Sequence, residues 1–519
     1  MNRMAIMMRL VVLLLAMMPI LAQGQDIPSS GLLSITPTEM KAHVNYLASD
    51  AMKGRNTPSP ELDTCAGFIA REFAAYGLKP IGQQRSYFQR FNLLKTRLAE
   101  PNTLTLKRNQ RDTTYQIKDD FVPLYLTANH RVTAPIVFAG YGITAPEYNY
   151  DDYQTIDARG KVVLIFANEP QERDSASIFE GKKATDHSKL LIKVENALDH
   201  GAVGLLLVSP PLHRFKRPPN PWPGLMKNAP ENAIPLTLEQ KSDSRIVCVQ
   251  IGRQLVDDLL AGTGRTLEEL HQKIDSALAP QSFDIPEKII TMETALAADK
   301  FPTQNVVGFW EGADPLLKNE LVVIGAHYDH VGVSNDSVYN GADDNASGTA
   351  GVLEVAEAFA QCQKRPKRSI LFMTFAGEEK GLFGSRHYTE DPIFPLENVV
   401  AMLNLDMISR NDTNEVAIIG SKTSPDLTAI NEKCNEEAIG LKLNYDQDRF
   451  FMQSDHYSFY RKDIPVLFYF TGETPDLHRT TDDPEKIIPE KMARIGQLVF
   501  ATAWEVANRA DRPNFIKVR

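Results

Sequence analysis

Short apolar runs that end in polar residues recur along the second half of the chain. Residues 370–376 (ILFMTFA) are nearly all apolar, and Gly377 and two adjacent carboxylates, Glu378 and Glu379, follow them. The length and the β-branched and aromatic content of this run are typical of a strand covered on both faces. In α/β sheets the carboxyl ends of such strands open onto ligand crevices. Taken alone, an acidic pair after a strand is more often part of a solvated turn than of a functional site. The rest of the chain is needed to distinguish the two.

The order of strand-like and helix-like segments along the chain predicts one α/β domain interrupted by another. Thr36, Pro37 and Glu39 form a helix start with a capping box. Strand-like and helix-like segments then continue to the end of the chain, but the composition changes near residue 130 and again near 283. We therefore predict a first domain part at 25–129, an inserted α/β domain at 130–282, and a second domain part at 283–519. The inserted segment contains no cluster of acids and histidines.

The first residues are typical of an export signal. Arg3 and Arg9 precede an apolar stretch from Leu10 to Leu21, and the small-residue sequence Ala-Gln-Gly follows it. This pattern predicts a secretory signal peptide at residues 1–24 and a periplasmic or extracellular protein. A retained membrane anchor is the alternative, but the apolar stretch is short for a membrane span. After signal cleavage we expect no membrane anchor.

Length, charge and cysteine content narrow the class of protein. A chain of 519 residues is too long for one ordinary core, so it should form two or more domains. Its formal net charge of −10 makes it a poor nucleic-acid binder, and we expect no nucleic-acid partner. The four cysteines are too few and too scattered for a disulfide scaffold, although one or two bridges remain open, and none has metal-type spacing. Nothing in the sequence predicts the oligomeric state.

Histidines and carboxylates gather at the ends of predicted strands and in the loops between them. The residues concerned are His327, Asp329, His330, Asp343, Asp344, Glu378, Glu379, Asp406 and His478. Each has an ordinary structural explanation, such as a hydrogen-bonded histidine or a helix N-cap. Burying many acids together is costly unless a positive charge neutralises them. A metal cluster does so, and histidine with carboxylate suits zinc, manganese or cobalt.

Five motifs, in order and type, resemble the two-zinc aminopeptidase family, whose relatives include glutamate carboxypeptidase, glutaminyl cyclase and the transferrin receptor. The motifs are AHYDHVG, GADDNASG, AGEEKGLFGS, NLDM and LHRTTDD. The resemblance implies a three-layer α/β/α zinc-exopeptidase-like domain with a mixed, mainly parallel sheet. It also implies that the α/β insertion is a small protease-associated domain.

The resemblance assigns a metal site residue by residue. His327 and Asp406 would bind one of two divalent ions, which would be zinc, and Glu379 and His478 would bind the other. Asp344 would bridge the two ions. In members of the resembled family a cis peptide bond follows the bridging acid, so the bond after Asp344 is expected to be cis.

Two further residues receive catalytic roles from the resemblance. Asp329 would hydrogen-bond the imidazole of His327 and fix its tautomer. Glu378 would be the general base that takes a proton from a metal-activated water as the water attacks a peptide carbonyl. The substrate would be a peptide, and neither a serine nor a cysteine nucleophile is needed.

The sequence leaves the specificity open within the family. An aminopeptidase is the first hypothesis. A carboxypeptidase would need cations for the substrate carboxylate, and the candidates are Arg386, Arg449, Arg461 and Arg479. A single-zinc glutaminyl cyclase has the same ligand types, but the insertion argues against it. A non-catalytic receptor would be expected to have lost ligands, and here none is lost.

Overall fold

The computed structural model describes residues 27–109, 111–124, 126–145, 148–179, 181, 184–212, 236–239 and 246–517. The predicted signal peptide at residues 1–24 lies outside these ranges. The chain divides into two compact units: one contains the residues up to Asn92 and Pro302–Arg519, and the other contains Leu93–Phe301.

A mixed sheet forms the centre of the first unit. Along the sheet the strands follow the order Phe88–Leu98, Leu296–Trp310, Ser369–Phe375, Leu321–His327, Val399–Leu405, Val466–Phe470, Glu415–Ile419 and Lys442–Asn444. The four strands from Ser369–Phe375 to Val466–Phe470 are parallel to their neighbours within that group. The strand predicted from residues 370–376 is thus confirmed as a buried central strand, and the sheet is mixed, as predicted, with its parallel strands at the centre.

Helices cover both faces of this sheet. The helices of the first unit are Ser29–Ser34, Pro37–Leu47, Pro60–Ala75, Gly348–Ala360, Phe383–Glu390, Pro425–Cys434, His456–Tyr460 and Pro489–Asn508. Phe372 packs on Phe359 of one helix, whereas its strand neighbours Leu371 and Met373 belong to a cluster with Phe459 of another. Successive side chains of a strand point to opposite faces, so the sheet is the middle of three layers.

The start of the helix Pro37–Leu47 agrees with the sequence pattern in part, but the backbone N–H of Thr36 donates to Glu354 and not to Glu39, so the predicted capping box is incomplete. The Thr36 side chain accepts a hydrogen bond from the backbone N–H of Glu39, and Pro37 is the first helical residue. This cap satisfies one of the N–H groups that have no partner inside the helix.

The second unit has its own eight-stranded sheet. Its strands follow the order Arg111–Tyr115, Thr103–Arg108, Phe283–Glu293, Arg131–Phe138, Val162–Phe166, Gly204–Val208, Val247–Ile251 and Phe121–Pro123. Its longer helices are Leu190–Asp199, Arg253–Leu260 and Leu267–Ala277.

The boundaries of this unit differ from the predicted 130–282. Residues 103–108 pair antiparallel with 288–293, so strands on both sides of the predicted segment belong to the same sheet. The observed unit therefore begins at Leu93 and ends at Phe301. Its identity as a protease-associated domain stays a prediction.

Two further features concern the environment of the chain. Within the described ranges, no helix has the length and apolar character needed to cross a membrane. All four cysteines, Cys65, Cys248, Cys362 and Cys434, are described, and each is a free thiol.

Candidate metal centre

Three neighbouring strands bring the predicted residues to one edge of the first unit's sheet. His327 ends the strand Leu321–His327, Asp406 follows Val399–Leu405, and Glu378 and Glu379 follow Ser369–Phe375. Because these strands are parallel, their carboxyl ends lie at the same edge. Together with Asp344 and His478, these side chains line a cavity of about 380 Å³.

The carboxylate of Asp344 lies between two histidine–carboxylate groups. Its Oδ1 is 3.4 Å from Nε2 of His327, which is in turn 3.2 Å from Oδ1 of Asp406. Its Oδ2 is 3.1 Å from Nε2 of His478, which is also 3.1 Å from Oε2 of Glu379. The five residues predicted as metal ligands are therefore gathered in the predicted pairs, with Asp344 shared between them.

Backbone hydrogen bonds hold Asp344 in this position. The N–H groups of Asp343 and Asp344 donate to the carboxylate of Asp482, at 3.0 and 3.1 Å. The peptide bond between Asp344 and Asn345 is cis, as predicted. The Asn345 side chain donates to the carbonyl of Leu405 (3.0 Å), at the end of the neighbouring strand.

A third histidine, to which the sequence analysis gave no role, lies in the second group. His330 is fully buried, and its Nδ1 is 2.8 Å from Oε1 of Glu379 and 3.5 Å from Oδ2 of Asp344. Potential ligand atoms of His330, Asp344, Glu379 and His478 all lie within 4.8 Å of one another. The sequence signal was the strand-end segment HYDH, but only the structure indicates which of its two histidines faces which carboxylate.

Asp329 differs from its predicted role. Its Oδ1 is 3.7 Å from Nδ1 of His327, beyond hydrogen-bonding distance, and the backbone carbonyl of Asp329 is the nearer acceptor at 3.2 Å. The carboxylate instead accepts hydrogen bonds from the hydroxyl of Thr57 (2.8 Å) and from the backbone N–H of Glu378 (3.1 Å). Each oxygen of the Asp329 carboxylate thus has a hydrogen-bond donor other than the imidazole.

The pKa values of the site reflect its crowding. Burial raises the pKa of Asp344 and Glu379, but the neighbouring imidazoles outweigh burial and hold both pKa values below their ordinary range. Hydrogen bonds to these two carboxylates raise the pKa of His478 to about 10. Burial lowers the pKa of His327, but the nearby carboxylates outweigh it and keep that pKa well above normal. Positive charge is therefore strongly favoured between these acids.

Glu378 has the opposite behaviour to its neighbour Glu379. Burial raises the pKa of the Glu378 carboxyl well above its usual range, and the charges of Asp406, Asp455 and Glu379 raise it further. Oxygen and nitrogen atoms of Glu378, His327 and Asp406 lie within 4.8 Å of one another. The two adjacent glutamates therefore face different partners, and Glu378 is the one that favours a bound proton.

The rest of the cavity wall is mainly apolar, and its described residues include no lysine or arginine. Its apolar lining residues are Leu382, Met407, Phe450, Met452, Phe468, Phe470 and Leu477. Five carboxylates also line it, including Glu473 at the rim, whereas no described lysine or arginine does. Phe450 lines the cavity, and Phe451 packs instead on Tyr460 with ring centroids 4.8 Å apart. None of the four arginines considered for a carboxypeptidase is a lining residue.

The first unit is a three-layer α/β domain in which histidine and carboxylate donors lie on both sides of a shared aspartate. Residues 305–503 match the model of peptidase family M28. The match includes all five predicted ligands and lies within the first unit.

Individual relatives are moderately similar. A probable leucine aminopeptidase of Arthroderma benhamiae is 31% identical over 202 residues, which are 37% of this chain and 56% of that protein. This chain thus spans little more than half the length of that relative. Aminopeptidase YwaD of Bacillus subtilis is 25% identical over 441 residues, 83% of this chain and 77% of that protein. Among solved structures, an aminopeptidase from Aneurinibacillus is 20% identical and covers 94% and 98% of the two chains with a TM-score of 0.45.

Proposed function

We propose that this protein is an exported, metal-dependent aminopeptidase that removes N-terminal residues from peptides. One observation carries the proposal: the two oxygens of Asp344 face two separate histidine–carboxylate groups inside a cavity. A bridging ligand must present each of its oxygens to a separate group of donors, and Asp344 does so. The relatives named as aminopeptidases support the same activity.

The donor set fits two zinc ions. His327 and Asp406 would hold one ion, Glu379 and His478 the other, and Asp344 both. Imidazole nitrogen and carboxylate oxygen are usual zinc ligands, and catalytic zinc sites use three protein ligands with one position open. Each proposed group supplies three protein ligands when Asp344 is counted in both. His330 adds a fourth donor beside the second group, at 2.8 Å from Glu379.

Glu378 would transfer the protons of the reaction. Bound divalent ions would lower the pKa of a water molecule and polarise the substrate carbonyl. The raised pKa of Glu378, which results mainly from burial, suits a group that accepts a proton from the attacking water and then donates it to the leaving amine. The second-layer bond from the Glu378 N–H to Asp329 (3.1 Å) fixes the backbone from which this side chain projects.

The charge of the cavity supports cleavage from the amino end. Three of the five lining carboxylates would be neutralised by the two ions, so the preference for one end of the substrate depends on the cations of the lining. No described lysine or arginine lines the cavity, and a substrate α-carboxylate would therefore find no side-chain cation there. The apolar wall, which includes Phe450, Phe468 and Phe470, would receive an apolar first side chain. A glutaminyl cyclase would use one ion, so one of the two histidine–carboxylate groups beside Asp344 would have no ion to bind.

A substrate panel with and without chelator tests the proposal. Leucine amide should be hydrolysed by the zinc-loaded protein, its N-acetyl derivative should not be, and a chelator should abolish the activity until zinc is restored. Equal rates on free and blocked substrates would contradict an aminopeptidase. Cyclisation of N-terminal glutamine without amide hydrolysis would favour the cyclase instead.

The proposed export rests on residues 1–24 alone. N-terminal sequencing of the protein recovered outside the cytoplasm should begin near Gln25. Recovery of the intact chain with Met1, either in the cytoplasm or in the membrane fraction, would contradict signal cleavage.

A further inference from the structure

A buried threonine from the N-terminal segment contacts the turn that bears Glu378. The Thr57 side chain is fully buried, and its hydroxyl donates to Oδ2 of Asp329 at 2.8 Å. The same hydroxyl accepts from the backbone N–H of Gly377 at 3.1 Å. Oδ1 of Asp329 accepts from the next backbone N–H, that of Glu378, at 3.1 Å. Two consecutive peptide N–H groups are therefore held by the Thr57–Asp329 pair.

The backbone N–H groups of Gly377 and Glu378 lie beyond the end of the strand, so they need hydrogen-bond acceptors outside the sheet. The strand ends at Phe375, so Gly377 and Glu378 follow it outside the regular ladder. Buried backbone N–H groups are almost always hydrogen-bonded. Gly377 has a φ of +76°, and a Cβ at this position would lie 3.4 Å from the Thr57 methyl group. The turn is thus fixed by the hydrogen bond from Gly377 to Thr57, in a space that leaves little room for a side chain at position 377.

The segment that carries Thr57 is itself firmly anchored. The guanidinium of Arg55 is fully buried and donates to the carbonyls of Tyr328 (2.9 Å), Asn340 (2.7 Å) and Gly341 (2.8 Å). These carbonyls belong to the segments that precede Asp329 and Asp344. Arg55 therefore ties the position of Thr57 to the loops that bear the proposed ligands.

We propose that Thr57 is a positioning residue for Glu378 and acts through Gly377 and Asp329. This inference rests on the proposed role of Glu378 as the base. Loss of the hydroxyl would leave the Gly377 N–H and Oδ2 of Asp329 without their partner. Asp329 would then be free to turn, and the Glu378 N–H would lose its fixed acceptor. Misplacement of a catalytic group by about 1 Å costs roughly 100-fold in rate.

The test compares hydroxyl-free and hydroxyl-bearing variants. Thr57→Val keeps the shape without the hydroxyl, Thr57→Ala removes the hydroxyl without risk of added bulk, and Thr57→Ser keeps it. We expect the first two to lower kcat about 10- to 100-fold with little change in KM or zinc content, and Thr57→Ser to restore most of kcat. Thr423→Val is the matched control. The buried hydroxyl of Thr423 likewise makes two hydrogen bonds: it donates to the carbonyl of Val466 and accepts from the N–H of Val466.

A second readout needs no catalysis. Amide hydrogen exchange of the peptide containing Gly377 and Glu378, in metal-free protein, should be about tenfold faster or more in Thr57→Val than in wild type or Thr57→Ser. Unchanged exchange in the hydroxyl-free variants would overturn the proposal. A kcat loss in Thr423→Val equal to that in Thr57→Val would also overturn it, since the effect would then be general destabilisation. Full activity of Glu378→Gln would refute the base assignment alone and leave the exchange result to judge Thr57.

Discussion

Each of the two units buries a group of titratable side chains, but the groups differ in how their charges are satisfied. In the second unit the carboxylate of Asp152 is fully buried and accepts from the N–H groups of Tyr141 (2.9 Å) and Ile143 (3.1 Å) and from the hydroxyl of Tyr150 (2.9 Å). The ammonium group of Lys193 donates to a backbone carbonyl of the same unit. Both carboxylate oxygens of Asp152 thus accept hydrogen bonds from protein donors.

In the first unit, carboxylates face one another across a cavity. Asp344 and Glu379 both lie beside the imidazoles of His330 and His478. Burial raises the pKa of Asp152 to about 7 and lowers that of Lys193 to about 7, so that pair can become neutral. The acids of the first unit instead raise the pKa of His478 to about 10 and so attract positive charge. Burial alone therefore does not distinguish a structural cluster of charged groups from a metal site. The distinguishing feature is that the buried acids of the first unit strongly favour positive charge beside them.

The largest expected effect separates the two glutamates of the first unit. Glu378→Gln should lower kcat by about 10²- to 10⁴-fold and keep both metal ions, because it removes the base without removing a proposed ligand. Glu379→Gln, the matched variant one residue on, should first weaken zinc binding. Steady-state kinetics and zinc content of both variants would test this. Near-normal turnover of Glu378→Gln would contradict its role.

The second unit should respond in stability and not in turnover. Asp152→Ala leaves two buried N–H groups without an acceptor and should lower the local free energy of unfolding by about 3 kcal/mol. Hydrogen exchange of peptides from residues 93–301 measures this change. Asp157→Ala removes an exposed carboxylate in the same unit and is the control, with little expected change. A specific loss of kcat in folded Asp152→Ala would mean that the cluster is not purely structural.

A smaller effect concerns a buried histidine of the first unit that has no acid in contact. Burial lowers the pKa of His456 from 6.5 to about 3. Between these values the unfolded state binds more protons than the folded state, so stability falls as the pH falls below 6.5. Relative to His456→Phe, wild-type metal-free protein should lose about 2 kcal/mol of stability between pH 8 and pH 5. Parallel pH profiles for the two proteins would show that His456 is protonated when folded.

The smallest expected effect concerns the apolar wall of the cavity. Phe450→Ala should lower kcat/KM for leucine amide about tenfold, because the first side chain loses apolar contact, and should change alanine amide less. The ratio of the two kcat/KM values is the measurement. An equal loss for both substrates would place the first side chain elsewhere.

The sequence was informative where function depends on strand ends and less so where it depends on distant contacts. The apolar runs before His327, Glu378 and Asp406 were correctly predicted as strands, because buried parallel strands have a distinctive composition. The bond between Thr57 and Asp329 joins residues 272 positions apart. No local pattern reveals such a contact, so the sequence could not show that this carboxylate holds the Glu378 turn.

Two other misses have similar causes. The contact between His330 and Glu379 depends on which way an imidazole faces after a strand ends, and residue order does not determine this. The boundaries of the second unit were set too narrowly because a change of composition near residue 130 was taken as the start. The strand Thr103–Arg108 lies before that change but pairs with Phe283–Glu293 of the second unit. Sheet pairing, not composition, defines the unit.

The most direct test of the central claim is the metal occupancy of the Asp344 carboxylate. Crystals of the zinc-loaded protein, with anomalous difference maps recorded at the zinc edge, would reveal each bound ion and its ligands. We predict two zinc ions, one beside His327 and Asp406 and one beside Glu379 and His478, each bound by a different oxygen of Asp344. A single ion, with Asp406 turned away and Asp344 bound through one oxygen only, would contradict the account.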